Sequence, residues 1–499
     1  MRDRDRKAHP QRLVKRILIY GAGSAGSQLL HSLMNHPMYE VVALIDDSKR
    51  TQGLTIEGYR IYPFDQVTIL WGQQAFDLVV LAMPSVPQNT KKAIIQKLQV
   101  LSIPVQTVPS IANLLSGKEQ INEIRTISIN ELLGREEVSP RIDILLKQIQ
   151  NRIILVTGAG GSIGSEICRQ IMQYQPRCLV LYELSEFLLY QIHQELTETY
   201  PHVACYPCLG NVGDTTYLTA VLNTHQVEVV YHTAAYKHVP LLENNVVKAV
   251  ENNILGSLSA ARSAIAAKVA EFVLISTDKA VRPTNVMGAT KRVTELIVQA
   301  LGADPQTSTR FAIVRFGNVL GSSGSVVPRF QAQIASGGPI TLTHPEITRY
   351  FMSIPEAARL VIQASQMATG GEVFLLDMGE PVKIYDLAVQ MIYLNGLEPG
   401  KDIEIEVTGL RPGEKLYEEL LISGDRVKPT LHPQIYCSHE YFIPWPDLKI
   451  DLTSLERCAR HNDTQALKAL LQRLVPEYHA PNHGQHLVVM TGVAHQSTA

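Results

Sequence analysis

The chain has 499 residues and a formal net charge of −2, with 45 lysine and arginine residues against 47 aspartate and glutamate residues. This composition is typical of a globular protein and argues against a disordered chain or one built to hold nucleic acid. At the usual domain size, the length predicts roughly two to four domains.

The cysteines and the ends of the chain exclude several further classes. Six cysteines are too few for a disulfide scaffold, and no second pair completes a zinc site with Cys205 and Cys208, so we predict structural cysteines and no metal. No apolar run reaches the length of about 18 residues that a membrane helix needs. We expect a disordered basic arm at residues 1–14 and a flexible tail at 481–499. We also expect a cytoplasmic protein, for which peripheral association with the inner membrane face is an alternative location.

The first strong pattern begins at Arg16, where the apolar run RILIY predicts a strand. The strand leads into the glycine-rich turn Gly21–Gly26, then a helix, then a second strand that ends at Asp46 and Asp47. Strand, glycine-rich turn, helix and strand with a terminal acid form the dinucleotide-binding pattern. We therefore predict an N-terminal Rossmann-like domain over residues 15–135.

The same pattern restarts after Arg152, and its glycines are Gly158, Gly161 and Gly164. The next strand ends at Glu183, and in both halves the acid lies 25 residues after the first glycine. Further strands alternate with helices, which predicts a parallel sheet covered on both faces. The predicted fold class is α/β, with two tandem Rossmann-like doubly wound sheets. The second, over residues 136–480, carries a smaller C-terminal substrate-binding lobe.

The second glycine-rich turn predicts a cofactor site. Glycine allows a tight turn and the close approach of a pyrophosphate, and the helix N-terminus at Ser162, Ile163 and Gly164 supplies amide donors. Glu183 can accept hydrogen bonds from an adenosine ribose and would repel a 2′-phosphate, which favours NAD over NADP. The first turn, at Gly21, Gly23 and Gly26, leaves two alternatives: a nucleotide site, or a degenerate unit that serves as spacer, dimer interface or regulatory site.

Five later segments follow the second turn in a fixed order. They are AAYKHVPLLENN (Ala234 to Asn245), STDKAVRPTNVMGATKR (Ser276 to Arg292), RFGNVLGSSGSVVPRF (Arg315 to Phe330), PITLTHPEITRYFM (Pro339 to Met352) and RPGEKLYEEL (Arg411 to Leu420). With TGAGGSIGSE they resemble the nucleoside-diphosphate-sugar 4,6-dehydratases of the extended short-chain dehydrogenase/reductase superfamily. The resemblance is strongest to the CapD-like polysaccharide biosynthesis branch, typically UDP-N-acetylglucosamine 4,6-dehydratases, and covers about residues 140–478.

The resemblance implies a lyase with an internal redox cycle. Hydride passes from sugar C4 to NAD⁺, the resulting ketone acidifies the C5 proton, water is lost across C5 and C6, and the hydride returns to C6. A UDP-sugar substrate and a role in surface polysaccharide or glycan synthesis follow. We further expect no nucleic-acid partner, a homo-oligomer, and membrane glycan machinery as a partner of the pathway.

The resemblance also assigns roles to a segment at the end of a predicted strand. In sister dehydratases the segment reads Thr-Asp-Glu, and here it is Thr277, Asp278 and Lys279. This implies Asp278 as general acid, Lys279 as base for C5, and Thr277 as a contact of the C4 hydroxyl. A lysine acts as a base only when neutral, so the pKa of Lys279 would have to fall through burial or a neighbouring cation such as Lys291.

Two features depart from the superfamily. Long members of the branch carry membrane helices before the first Rossmann unit, so we expect a soluble or truncated form. The usual Tyr-x-x-x-Lys has Met287 in place of tyrosine before Lys291, as is typical of the long CapD-like branch. Lys291 would bind the nicotinamide ribose and lower nearby hydroxyl pKa values, whereas Met287 can only pack.

The remaining expected contacts fall into two groups. The expected cofactor contacts outside the glycine-rich turn are Ala234, Ala235, Tyr236 and Asn253, the last through the backbone it holds. The expected sugar-nucleotide contacts are Lys237, Asn318, Arg329 and Arg411, the arginines because their planar fork suits a diphosphate. Arg349 is either a further contact or a brace for its loop, and His238 is either structural or catalytic.

Two rival functions remain open from the residues. One is a sugar-nucleotide epimerase on the same fold, although a 4-epimerase has no need of an acid for the C6 hydroxyl. The other is a noncatalytic scaffold or regulator of glycan assembly, which the missing tyrosine and the extra Rossmann unit would allow.

Overall fold

The structure is a computed structural model that describes residues 14–99, 101, 103–109, 124–127, 129–135, 138, 140–420 and 427–480. Most of the predicted basic arm and the predicted tail at 481–499 lie outside these ranges. Both features stay predictions.

The N-terminal part of the chain forms one mostly parallel sheet with helices. Its elements are β1 Lys15–Tyr20, α1 Ser24–Leu33, β2 Tyr39–Ile45, β3 Thr55–Ile56, β4 Tyr59–Tyr62, α2 Asp65–Gly72, β5 Leu78–Leu81, α3 Gln88–Gln99, β6 Val105–Thr107, β7 Arg125–Thr126 and α4 Ile129–Leu133. The strand order is β3-β4-β2-β1-β5-β6-β7. Within this order the neighbours from β4 through β2, β1 and β5 to β6 pair in parallel. Separate apolar clusters around Leu18 and Ile17 show that both faces of the sheet are covered.

A larger sheet follows with its helices. Its first elements are α5 Ile142–Ile149, β8 Ile153–Thr157, α6 Ser162–Gln173, β9 Cys178–Glu183, α7 Glu186–Thr199, β10 Ala204–Leu209, α8 Thr215–His225, β11 Val229–His232, α9 Val239–Glu243, α10 Val246–Ala249, a π-helix Val250–Leu255, α11 Gly256–Ala266, β12 Glu271–Thr277, a 3₁₀ turn Asp278–Ala280, α12 Val286–Gly302 and β13 Arg310–Phe316. The later elements of the chain are β14 Asn318–Val319, α13 Val326–Ala335, β15 Ile340–Leu342, β16 Thr348–Arg349, β17 Phe351–Met352, α14 Ile354–Gln366, β18 Glu372–Leu376, β19 Val382–Lys383, α15 Ile384–Leu394, β20 Ile405–Val407, β21 Lys428–Pro429, β22 Ile435–Ser438, α16 Trp445–Arg460 and α17 Thr464–Leu474. Among them, β14 pairs with β17, β15 with β20 and β16 with β19 in separate two-stranded sheets.

The larger sheet has nine strands in the order β10-β9-β8-β11-β12-β13-β18-β22-β21. The first seven pair in parallel, and β22 and β21 add antiparallel. The order reverses between β8 and β11, and ligands of doubly wound sheets bind at the carboxyl ends of the strands at such a point. The predicted fold class is confirmed. The glycine-rich turn follows β8, and the Thr277 segment lies at the end of β12.

Helix α12 carries Met287 and Lys291 and is buried along almost its whole length. Buried charges of this helix are paired in an ion cluster, in which Glu295 lies 2.7 Å from Arg315 and 3.0 Å from Arg292. Because both arginines favour its charged form, the pKa of Glu295 is held at about 2 against the effect of burial. The cluster holds the helix against β13 and so fixes the position of the helix face that bears Lys291.

Cys205 and Cys208 lie on the edge strand β10 and face opposite sides of the sheet. Cys208 belongs to one apolar core, and Cys205 packs against the other. Burial raises the pKa of Cys205 to about 12 and also raises that of Cys208. This geometry agrees with the predicted structural role, since the two thiols do not converge on one site.

The described residues separate into two compact units. The first takes in the described residues before Val138 together with 329–341 and 385–406, and the second takes in those of 138–328, 342–384 and the described residues from Val407 onward. Two segments of the first unit therefore come from within the range predicted for the second domain, and the predicted domain limits stay a prediction. None of the described helices is both long enough and apolar enough to cross a membrane.

Candidate active site

The glycine-rich turn after β8 requires glycine at its first and last positions. Gly158 has φ +64°, and a Cβ there would lie 2.9 Å from the backbone nitrogen of Ala234. A Cβ on Gly164 would overlap with the carbonyl oxygen of Gly158. Gly161 is the N-cap of α6 and has no side chain to occupy the first-turn amides, so the turn is a cradle with donors at Ser162 and Ile163.

Glu183 ties this turn to the next strand. Its carboxylate accepts hydrogen bonds from the amides of Gly160 at 3.0 Å, Leu184 at 2.9 Å and Ser185 at 3.0 Å. The side chain therefore has a structural task that the sequence did not predict. A carboxylate offers about four acceptor positions, so capacity for a ribose hydroxyl remains.

A side chain of the π-helix holds the backbone that follows β11. The side-chain amide of Asn253 accepts from the Tyr236 nitrogen at 2.8 Å and donates to the Tyr236 carbonyl at 3.1 Å. It also donates to Thr290 on α12 at 3.1 Å. Asn253 thus fixes the backbone next to Ala234 and Ala235, and it links that backbone to the helix of Lys291.

Asp278 is buried and Lys279 is 19% exposed, and the two form an ion pair at the end of β12. The Lys279 ammonium donates to Asp278 Oδ1 at 3.0 Å and to Asn318 Oδ1 at 2.9 Å. Thr277 also donates to Asp278 Oδ1, at 2.8 Å. Asp278 is fully buried, and among the described residues its second oxygen, Oδ2, has no hydrogen-bond partner. An unpaired buried carboxylate oxygen is costly, which is consistent with a group that a ligand would satisfy.

The charge state of Lys279 is set by burial and by three charged neighbours. Burial alone would lower its pKa, but the carboxylates of Asp278 and Glu418 outweigh burial and the nearby Arg349, and the pKa is raised. The condition set for a basic Lys279, a pKa that falls, is therefore not met in this structure. Any role as a base needs a route by which the ammonium gives up its proton within the site.

Glu418 is a member of this cluster that sequence reasoning missed. Its carboxylate lies 3.6 Å from the Lys279 ammonium and 3.7 Å from the Arg349 guanidinium. The motif RPGEKLYEEL contains Glu418, but nothing in its letters distinguishes Glu418 from Glu419. Arg349 also lies 3.6 Å from Glu414 and donates to the Thr348 carbonyl at 2.7 Å, so the structure shows the bracing contacts that were one of its two expected roles.

Met287 and Lys291 lie one turn apart on α12, as their spacing predicts. Met287 is 4% exposed and packs in the apolar core. The Lys291 ammonium donates to the Ile275 carbonyl at 2.6 Å, and burial lowers its pKa to about 8 despite the opposing charge of Glu295. Sequence reasoning also missed Gly288, where a Cβ would overlap with the carbonyl oxygen of Lys279.

The expected sugar-nucleotide contacts are dispersed. Asn318 belongs to the Lys279 cluster, whereas Lys237 and Arg411 lie on exposed loops of the second unit. Arg329 belongs to the first unit, where its guanidinium donates to Thr341 at 2.6 Å. His238 follows Lys237, and its ring lies against Gly324. The binding roles of these residues stay predictions.

The first glycine-rich turn has the same construction as the second. Gly21 has φ +108°, and a Cβ on Gly26 would overlap with the Gly21 carbonyl oxygen. Asp46 accepts from the amides of Ala22 and Ser48, both at 2.8 Å, as Glu183 accepts from its own turn. This geometry explains the repeated pattern without a ligand, and both alternatives for the first unit stay open.

Comparison with known proteins gives two family matches. Residues 154–440 match the polysaccharide biosynthesis protein family, and residues 13–103 match the C2185-like N-terminal family. The first match spans the second glycine-rich turn and the whole Lys279 cluster.

Individual relatives point the same way. The capsular polysaccharide biosynthesis protein CapD of Staphylococcus aureus is 45% identical over 84% of this chain and 70% of its own length. An inverting UDP-N-acetylglucosamine 4,6-dehydratase of Campylobacter jejuni is 32% identical over 54% of this chain and 78% of its own length. A UDP-glucose 4-epimerase of Rickettsia canadensis is 31% identical over 56% of this chain and 80% of its own length.

Proposed function

Because the chain belongs to the polysaccharide biosynthesis protein family, we propose that it is a nucleotide-sugar 4,6-dehydratase whose first candidate substrate is UDP-N-acetylglucosamine. The family and the relatives support a nucleotide-sugar-modifying enzyme of the dehydratase or epimerase type. Dehydration is the finer proposal. The observation that carries it is the ion pair of Lys279 with the buried Asp278, one oxygen of which has no hydrogen-bond partner in the described part of the chain.

The proposed cofactor is NAD, and the residues fit it. Gly158 and Gly164 leave the backbone open, the first-turn amides at Ser162 and Ile163 suit a diphosphate, and Glu183 suits an unphosphorylated ribose. NAD, when bound, supplies a reversible hydride acceptor for sugar C4. The chain itself must orient the sugar and move protons at C5 and at the C6 oxygen.

The Asp278–Lys279 pair can do both proton transfers without any net change of charge. In the resting pair the proton lies on Lys279, 3.0 Å from Asp278. Transfer along this hydrogen bond gives a neutral amine and a carboxylic acid. The amine then takes the C5 proton of the 4-keto sugar, and the acid gives its proton to the C6 hydroxyl, which leaves as water. Lys279 and Asp278 return to ammonium and carboxylate, so the step is balanced.

Lys291 is proposed to act at the C4 hydroxyl of the sugar. Its pKa of about 8 leaves part of the population neutral at physiological pH, so its amine can share the proton of the C4 hydroxyl. Thr277 donates to Asp278 and accepts from the Lys279 amide at 3.4 Å, and the second acceptor position of its oxygen can take a hydrogen bond from the same hydroxyl. Met287 has no proton to give and only packs beside them.

The epimerase remains the second candidate, since one of the relatives carries that name. An epimerase at C4 returns the hydride to C4 and loses no water. A buried acid–ammonium pair therefore has no task at C6 in that reaction, and the Asp278–Lys279 pair favours dehydration.

The deciding experiment is isotope transfer in UDP-N-acetylglucosamine. A substrate deuterated at C4 should deliver deuterium to a new C6 methyl group, and reaction in D₂O should place solvent deuterium at C5. Mass spectrometry should show the loss of one water, and Lys279→Met should suppress the product while NAD binding persists. A product of unchanged mass that keeps its label at C4 would establish the epimerase instead.

A further inference from the structure

Glu418 lies far along the chain from the Asp278–Lys279 pair but belongs to the same buried cluster. Its side chain is 3% exposed, and its Oε1 atom is the one that faces both Lys279, at 3.6 Å, and Arg349, at 3.7 Å. Its other oxygen, Oε2, is buried and has no hydrogen-bond partner among the described residues. The carboxylate is therefore held by charge rather than by a full set of hydrogen bonds.

The four charged groups form a row of alternating sign. Arg349 is followed by Glu418, Glu418 by Lys279, and Lys279 by Asp278, whose Oδ1 is 3.0 Å from the ammonium. Lys279 thus lies between two carboxylates, and each has one oxygen without a hydrogen-bond partner within the ranges that the structure describes. Only one of the two, Asp278, is within hydrogen-bond distance, so only Asp278 can receive the proton directly.

The neighbouring Glu419 has a different environment. Its carboxylate pairs with Arg282 and lies 3.7 Å from Lys415, and its side chain is 38% exposed. Glu419 therefore satisfies its charge near the surface. This contrast shows that the carboxylate of Glu418 is directed inward at Lys279, and it provides a matched control one residue away.

We propose that Glu418 is a positioning residue for the Asp278–Lys279 pair, whose carboxylate keeps one proton within the pair and holds the Lys279 nitrogen while that proton moves to Asp278. The inference rests on the proposed function, because it assigns the pair to the dehydration step. Without Glu418 the ammonium would lose its proton to solvent at a lower pH, and the pair would then contain no acid for the C6 hydroxyl.

The charged groups around the pair together set the pKa of Lys279. Asp278 and Glu418 raise the pKa of Lys279 against burial, and Arg349 lowers it. Behind these, Glu414 faces Arg349 at 3.6 Å. Tyr350 also faces Asp278, and burial, Glu380 and Asp278 raise the pKa of its hydroxyl, which keeps Tyr350 neutral. Removing Glu418 alone therefore shifts the balance toward the neutral amine.

The test compares Glu418→Gln, Glu418→Asp and the control Glu419→Gln in the full chain. The basic limb of the pH dependence of kcat reports loss of the proton shared by the pair. In Glu418→Gln this limb should move down by about one pH unit or more, which makes turnover above the limb roughly tenfold lower. Glu418→Asp should move the limb back toward the wild type, and Glu419→Gln should leave it in place.

A second readout needs no substrate. Acetic anhydride modifies only neutral amines, so peptide mass spectrometry across a pH series reports the protonation of Lys279. In Glu418→Gln, Lys279 should become reactive at lower pH than in the wild type and in Glu419→Gln. If Lys279 reacts over the same pH range in all three proteins, or if kcat falls without a shift of the limb, the inference is wrong.

The two readouts separate this inference from the proposed function. If the wild type removes no water from UDP-N-acetylglucosamine, the proposed function fails, and the modification of Lys279 alone decides whether Glu418 holds the proton. If Glu418→Gln does not fold, Glu418→Ala, which also removes the carboxylate, decides. A modification range of Lys279 that lies at lower pH than in the wild type supports the inference, and an unchanged range overturns it.

Discussion

Two buried lysines of the site have opposite electrostatic settings. Lys279 faces the carboxylates of Asp278 and Glu418, and its pKa is raised although it is buried. Lys291 has only Glu295 as a nearby acid, and burial brings its pKa down to about 8. The same residue type is therefore held charged in one position and partly neutral in the other, because of the number of carboxylates that face it.

The division of roles between Asp278 and Met287 gives the first prediction. Asp278→Asn and Lys291→Ala should each lower kcat severely, since acid–base groups contribute about 10²–10⁴-fold. Met287→Ala should lower kcat modestly but cost roughly 2–5 kcal/mol in the free energy of unfolding, because Met287 is buried in the core. Steady-state kinetics and denaturant unfolding measure both. A loss of kcat in Met287→Ala as large as in Asp278→Asn would contradict the assignment.

Sequence reasoning reached part of the site and not the rest. Asp278, Lys279 and Lys291 stand in short motifs, and adjacency along a strand end or a helix turn made their proximity predictable. Glu418 and Arg349 reach the pair only because distant segments of the chain fold together, so no local spacing reports them. The raised pKa of Lys279 depends on those same distant charges, so the short motif alone does not report it.

At the scale of elements, the His232 side chain links the strands β11 and β8 to the helix α11. It ends β11, its Nδ1 lies 2.8 Å from Thr157 at the end of β8, and its Nε2 lies 2.8 Å from Ser257 on α11. Burial, with a smaller effect of Lys291, lowers the pKa of His232 from 6.5 to about 3. The folded protein therefore contains a neutral imidazole in the pH range where the unfolded chain binds a proton.

This neutral imidazole predicts acid sensitivity. Between pH 6.5 and about 3 the unfolded state binds the extra proton, so His232 should cost the wild type about 1.4 kcal/mol of stability for each pH unit of acidification. His232→Gln has no titrating group there. The difference in unfolding free energy between the two proteins should shift in favour of the variant as the pH falls, in urea titrations at several pH values. A difference that does not change with pH would contradict the buried neutral state.

The contact between α12 and the 3₁₀ turn gives a third prediction. A Cβ on Gly288 would overlap with the Lys279 carbonyl, so Gly288→Ala should push the helix from the turn and cost about 1–3 kcal/mol of stability, with a loss of kcat. Gly302, at the other end of the same helix, has only ordinary contacts, the nearest at 3.4 Å. Gly302→Ala is the matched control and should be neutral or slightly stabilising. Equal thermal shifts in both variants would show that the close approach does not matter.

At the scale of the whole molecule, the repeated strand–turn–helix pattern made both sheets predictable. Parallel strands buried on both faces are continuous apolar runs in the sequence. The turns are marked by glycines at positions where a Cβ would clash with the backbone. Long-range grouping was not predictable: residues 329–341 and 385–406 belong to the first unit, although they follow the second dinucleotide pattern in the chain. Contacts between segments so far apart leave no periodic signal in the sequence.

The two glycine-rich turns allow a matched test of where the cofactor binds. Gly161 is the N-cap of α6 and Gly23 is the N-cap of α1, and both have extended backbone that accepts a side chain without strain. A Cβ on Gly23 meets nothing within 4 Å, and one on Gly161 meets only the Gly158 carbonyl oxygen, at 3.3 Å. Valine at either position should therefore fold but cover the amides of its own helix.

We expect Gly161→Val to abolish NAD binding and turnover, and Gly23→Val to leave both near the wild-type level. The reason is that only the second turn is followed by Asp278, Lys279 and Lys291, whereas the first is followed by no comparable acid–base set. Calorimetric titration with NAD on both folded variants measures the difference. Unchanged NAD affinity in Gly161→Val would refute this assignment, and loss of NAD affinity in Gly23→Val would move the cofactor to the first unit, whose turn is built in the same way.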